Sequence, residues 1–236
     1  MQTYFHVHSK LHPFRIFSLE HIVTMGIIFV FSILVFVFKN KLEEKGKYFR
    51  ITLALLILVS DTSQQLWLLY EHAWSLKRAL PLQLSDLTAI LASVMLLTMS
   101  YRLFQFMYFA GLGSSILAIL TPDLSRYSFP HFQYIEFFVS HGGVVLACLL
   151  MVAVLDFRPT ISSMWATILI VSIYSGCIFF LNKFLGSKYL YIMKKPRNAS
   201  LLDYLGPWPW YLISLELVMI FSFYILYSPF WIKRKL

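Results

Sequence analysis

The sequence predicts an all-α fold, a polytopic membrane bundle of seven helices, and three observations predict it. Of 236 residues, 59% are hydrophobic and 13% charged, too little polar surface to cover the core of a water-soluble domain of that length. Seven apolar stretches approach the roughly 20 residues that cross about 30 Å of hydrocarbon as a helix. No linker, low-complexity tract, repeat or composition break divides the chain, so residues 1–236 read as a single transmembrane domain.

The first span is expected at Leu19–Phe38. The preceding run, MQTYFHVHSKLHPFRIFSLEH, lacks the basic-then-apolar order and small-residue cleavage site of a signal peptide, so this span should stay in the mature protein. The tract of His6, His8 and His12 looks metal-binding but reads as an exposed, flexible amino terminus. The second span, Ile51–Tyr70, follows a basic loop with Lys39, Lys41, Lys45, Lys47 and Arg50. The third, Leu82–Met99, and the fourth, Leu103–Leu120, are separated by a few residues around Arg102, which implies a tight antiparallel pair. The fifth, sixth and seventh fall at Phe132–Val154, Met164–Leu181 and Trp208–Tyr227, and Pro81, Pro130 and Pro209 suit first helical turns. The longer loop Asn182–Pro207, with Lys183, Lys188, Lys194, Lys195 and Arg197, has room for a short interfacial or re-entrant piece.

An odd number of spans puts the termini on opposite sides. The basic first loop and the tail Lys233, Arg234 and Lys235 outweigh the loop at Lys77 and Arg78 and the sixth loop, giving an outside amino terminus and an inside carboxyl terminus. The net charge of +9 sits in loops and at the carboxyl terminus, where lipid headgroups favour it. The expected partners are therefore membrane lipids and not nucleic acid, and the oligomeric state is open. Cys148 and Cys177 each lie in an apolar segment and fit neither a disulfide framework nor a zinc site. No metal or cofactor is expected.

Ionisable groups inside a span cost ~2.5–3.5 kcal/mol at the centre and demand a partner or a wet cavity. His21 starts the first span; Asp61, Gln64 and Gln65 lie in the second; Ser85 and Asp86 open the third; Glu136 and His141 lie in the fifth; Glu216 lies in the seventh. Odd spans start on the amino-terminal side and even spans end there, so all but mid-depth Asp61 collect toward one face of the bilayer. A cavity opening to one leaflet would collect them in this way. Asp61, Gln64 and Gln65, spaced i, i+3 and i+4, share one helix face. Gly142 and Gly143, directly after His141, leave room for a substrate or another backbone. Against a functional reading stands an interhelical hydrogen-bond network that merely fixes packing. For Ser85 alone the bland reading, a hydroxyl bonded to its own helix, is favoured; for His141, a buried imidazole able to act as a base near neutral pH, the functional one is.

The segments LPLQLSDL (Leu80–Leu87), LTPDLSRYSFPHFQYIEFFVSHG (Leu120–Gly142), NKFLGSKYLYIMKKP (Asn182–Pro196) and SLLDYLGPWPWYLISLE (Ser200–Glu216) resemble the YwaF-type bacterial membrane proteins, in order and over most of the chain. That family is distantly similar to a eukaryotic transmembrane acyltransferase that remodels ether phospholipids and to androgen-induced fatty-acid-ester hydrolases. The resemblance implies a multi-pass protein of the bacterial cell membrane, with Ser85 at the position of the acyltransferase's nucleophilic Cys and His141 at that of its His. Ser keeps a hydroxyl nucleophile but not a thioester, and Asp86 beside it would oppose an oxyanion unless it turns away. The expected function is thus an intramembrane lipid acyltransferase or ester hydrolase with catalytic Ser85 and His141. Asp61, Gln64, Gln65, Asp86, Glu136 and Glu216 form the supporting cluster, with Lys194, Lys195 and Arg197 as headgroup candidates. The rivals are a proton- or cation-coupled transporter using the same Asp, Glu and His residues, and a scaffold without chemistry.

Overall fold

The computed structural model describes residues 4–9, 11–195 and 201–233; Arg197, Arg234 and Lys235 lie outside them. Among the described residues there is no strand, and seven α-helices follow in order: α1 (Leu19–Val37), α2 (Lys39–Tyr70), α3 (Leu84–Thr98), α4 (Tyr101–Leu120), α5 (Phe132–Val154), α6 (Ile161–Leu185) and α7 (Trp210–Lys233). Six are long and apolar enough to cross a membrane, and α3 is the shorter apolar exception. The protein is a multi-pass membrane bundle.

Several ends depart from the hydropathy reading: α6 starts three residues earlier and ends four later than expected, and α7 runs six residues further; the ends of α2 and α3 bear on the site. Helix α2 begins twelve residues earlier than expected, because Lys39–Arg50 continues it as helix. Lys, Glu and Arg are good helix formers, and Lys39 pairs with Glu43 across one turn at 3.5 Å. Polarity ends the membrane span there without ending the helix. Helix α3 is short: its 15 residues rise only ~22 Å, against ~34 Å for the 23 residues of α5. Its carboxyl end turns through Met99, in the left-handed region at φ 53°, straight into α4, whose cap Ser100 accepts from the Leu103 N–H at 3.3 Å. The tight α3–α4 pair is therefore as expected. Its amino end opens on a cavity within the bundle, which Leu84, Ser85 and Asp86 line.

Helix α5 is the central helix, mostly buried, whereas α1 and α7 are largely exposed. Without a hydrophobic force between helices in lipid, close packing decides the contacts. Here Gly142 and Gly143 act as packing sites: a Cβ at Gly143 would lie 2.6 Å from Ile57 Cγ1, and one at Gly142 3.2 Å from Ile28. Of the two uses expected for the space beside His141, a substrate or another backbone, the close approach of neighbouring helices is the one seen: side chains of α1 and α2 lie against the two glycines.

The amino-terminal segment is tied down rather than flexible. The Trp67 indole donates to the Phe5 carbonyl at 2.5 Å, and the Val7 N–H donates to Glu71 at 2.9 Å. His6 pairs with the same carboxylate at 2.7 Å. The Tyr127 hydroxyl donates to the Val7 carbonyl and the Ser128 hydroxyl to that of His12. The segment thus straps the end of α2 to the α4–α5 loop.

Candidate active site

The amino end of α3 forms the floor of a cavity of about 500 Å³ enclosed by α2, α4, α5 and the α6–α7 loop. Seven residues singled out from the sequence line it: Asp61, Gln64 and Gln65 from α2, Ser85 and Asp86 from α3, Glu136 and His141 from α5. The shortness of α3 explains this. His141 sits about two and a half turns into α5, and only a neighbouring helix that starts at that depth can set its first turn beside it.

His141 is buried, and its Nδ1 lies 2.8 Å from the Phe137 carbonyl. A carbonyl only accepts, so Nδ1 carries the proton and Nε2 has the free lone pair. The Phe137 ring stacks on the imidazole at 4.1 Å and holds its plane. No protein group among the described residues bonds Nε2. The Ser85 hydroxyl does not bond it either: it donates to Asp86 at 3.5 Å, long for a hydroxyl bond and hence weak. Asp86, third residue of α3, accepts the Gln83 N–H at 3.2 Å. This is the usual work of an acid in a first turn, and it turns one carboxylate oxygen toward the cap. Gln83 is thus unavailable as an oxyanion donor, whereas the Leu84 and Ser85 N–H groups have no protein acceptor among the described residues.

Glu136 accepts from Gln133 at 3.2 Å, and its carbonyl takes the Ser60 hydroxyl. Gln65 accepts the Trp74 indole N–H at 3.1 Å. Two polar residues of the sequence reading lie elsewhere. His21 is spent on packing: Nδ1 accepts from the Phe17 N–H at 3.0 Å and Nε2 donates to the Ile119 carbonyl at 2.8 Å. Glu216 lines a separate cleft and accepts the Ser172 hydroxyl at 2.8 Å.

The α6–α7 loop closes the cavity. Buried Asn182 holds the Tyr189 N–H at 2.9 Å, the Tyr189 carbonyl at 2.8 Å and the Ser187 hydroxyl at 2.7 Å. Tyr189 donates to the Leu76 carbonyl and Tyr174 to that of Leu82. The Leu190 N–H donates to Gln83 at 3.0 Å, and Tyr191 bonds Asp123 at 2.8 Å. The loop is a folded wall with short 3-10 turns at Tyr189–Tyr191 and Leu201–Leu205. Lys194 and Lys195 do not line the cavity; Lys195 lies over the Tyr211 ring at 5.3 Å. Among the described lining residues the one Lys or Arg is Arg78, read from the sequence only for topology. Its position before the helix-opening motif LPLQLSDL was the available signal.

Further along α3 and α4, Ala92, Met95, Leu96 and Met107 are buried in the apolar core and do not line the cavity. Among the described residues no group of three or more His, Cys, Asp or Glu is placed to hold a metal ion.

Compared with known families, residues 16–227 match the model of the TMEM164 family. The comparison with curated proteins gives no match, nor does that with solved structures.

Proposed function

As the chain belongs to the TMEM164 family, we propose that it is an intramembrane enzyme of lipid esters, an acyltransferase or ester hydrolase, working through Ser85 and His141. The observation that carries this reading is that a hydroxyl and an imidazole with a free Nε2 line one cavity, on the amino-terminal side of the bundle. The similarity of the quoted segments to YwaF-type proteins, and through them to a phospholipid acyltransferase, adds to it and suggests a bacterial cell membrane.

The chemistry follows from the two groups. The Ser85 hydroxyl leaves its weak bond to Asp86 and turns to Nε2 of His141. Nε2 takes the proton while Oγ bonds the ester carbonyl carbon. The oxyanion receives the free Leu84 and Ser85 N–H groups at the start of α3. Collapse breaks the ester C–O bond, the departing alcohol takes the proton from Nε2, and acyl-Ser85 remains. Water or a second alcohol then attacks that ester and gives its proton to Nε2; the acyl–Oγ bond breaks, Oγ takes the proton back from Nε2, and the acid or new ester leaves. Arg78, in the cavity lining, is the cation offered to a headgroup phosphate.

Four carboxyl groups in one cavity, Asp61, Asp86, Asp123 and Glu136, favour a second reading, a cation or proton path. Against it, Met95, Leu96 and Met107, further along α3 and α4, belong to the buried apolar core and do not line the cavity, whereas a transporter needs a polar path through the bundle.

The test is a lipid-like alkyl phosphonate that reacts with activated serines, applied to the purified protein with the labelled residue mapped. Labelling is expected at Ser85, lost in Ser85→Ala and slowed by about 10²-fold or more in His141→Ala. Ser85→Cys should keep turnover and become sensitive to iodoacetamide. Labelling that persists in Ser85→Ala ends the reading.

A further inference from the structure

A second cavity of about 490 Å³ lies between α4, α6 and α7. Its walls are largely apolar, with Val171, Phe179, Val218, Met219 and Phe223 among them. The serines there do not alter this. Ser114 and Ser222 give their hydroxyl protons to carbonyls of their own helices, so they present little unsatisfied polarity. The Glu216 carboxyl takes the Ser172 hydroxyl and links α7 to α6.

The two cavities share a boundary: Leu84, Ser114 and Leu190 line both. Leu84 is the residue directly before Ser85, at the same first turn of α3. Leu190 and Tyr191 are both left-handed, at φ 58° and 52°, a costly state for side chains with a Cβ that persists only when surroundings impose it. The bonds from the Leu190 N–H to Gln83 and from Tyr191 to Asp123 impose it here. The strained turn directs Leu190 to the junction of a polar chamber and an apolar one.

We propose that the α4–α6–α7 cleft holds the acyl chain of the lipid whose ester occupies the polar cavity, the chain crossing the threshold formed by Leu84, Ser114 and Leu190. This rests on the lipid-ester reading of the Ser85–His141 cavity and names where its substrate's hydrocarbon goes. The volume is that of a pocket for a ligand of about drug size, 300–1,000 Å³, and an apolar chain matches its walls. A headgroup does not. Gly176 lies on the wall with open space where a Cβ would stand, so the cleft can be filled by substitution without disturbing a packed contact.

The experiment uses the full chain in lipid nanodiscs with a phospholipid carrying a diazirine near the end of one acyl chain. After irradiation the labelled residues are mapped. In the unsubstituted protein the adducts are expected on the cleft walls of α6 and α7, around Val171 and Met219. Gly176→Phe should cut them about tenfold, whereas Gly26→Phe, placed on exposed α1 where a Cβ also meets nothing, should leave them unchanged. Adducts confined to outward residues such as Phe180 and Phe184, or undiminished in Gly176→Phe, overturn the proposal. The map in the unsubstituted protein decides this even if Gly176→Phe fails to fold. Cross-linking reads chain binding alone, while phosphonate labelling reads Ser85 chemistry, so failure of one proposal is separable from failure of the other.

Discussion

Three histidines sit inside or against the bundle, and what each ring nitrogen touches separates their roles. His21 and His131 each accept a backbone N–H at Nδ1 and face a carbonyl with Nε2, so both rings are saturated and neutral. His141 has the opposite tautomer and a free Nε2. His131 caps α5 through the Gln133 N–H at 3.0 Å and donates to the His6 carbonyl at 3.1 Å. Burial holds its imidazole below the ordinary histidine value. The unfolded chain then takes up a proton as pH falls through about 6.5, before the folded one does. The stabilisation is present above that pH and lost below it. Thermal unfolding in detergent should show a lower midpoint at pH 5.5 than at 7.5, and His131→Asn, which keeps a capping oxygen without titrating, should flatten the difference. An equal pH response in both proteins would show that another group is responsible.

At the scale of the helix, two lengths and two glycines shape the site. The short α3 puts its free N–H groups at the depth of His141, and the close approach of α2 to α5 depends on Gly143. Ile57 is fully buried, so it has no room to yield. Gly143→Ala should therefore destabilise the protein by about 1–3 kcal/mol through overpacking, read from the unfolding midpoint. Adding Ile57→Ala should recover part of that loss, a coupling that residues in contact show and distant ones do not. Strictly additive effects would mean that the two helices do not meet at this point.

Across the whole molecule, polarity is one-sided. The seven polar residues singled out from the sequence gather with others in one cavity, and the amino-terminal strap ties the end of α2 to the α4–α5 loop beside it. In sealed vesicles, with Cys177 replaced by Ala, a cysteine at Gln65 should react with an impermeant maleimide from one side only. A cysteine at Ala92, which has no exposed surface, should react from neither. Labelling of Gln65→Cys from both sides would instead favour the transport reading. The side that labels would also fix the orientation that the loop charges leave nearly balanced.

Much of this was legible in the residue order. Spans are set by the length of apolar stretches against bilayer thickness, a local property, and the period of Asp61, Gln64 and Gln65 reveals one inward face without knowledge of the partner helix. The alternation of helix direction even forecast that Ser85 and His141 would lie at one end. Tertiary structure alone decided the rest. That Glu216 belongs to another cleft, that Gly142 and Gly143 are filled by neighbours, that the histidine-bearing amino terminus is strapped down and that Arg78 reaches the cavity all depend on rotation, depth and distance between segments far apart in the chain. Hydropathy carries the energy of burying a residue in lipid; it carries nothing about which side chain stands opposite.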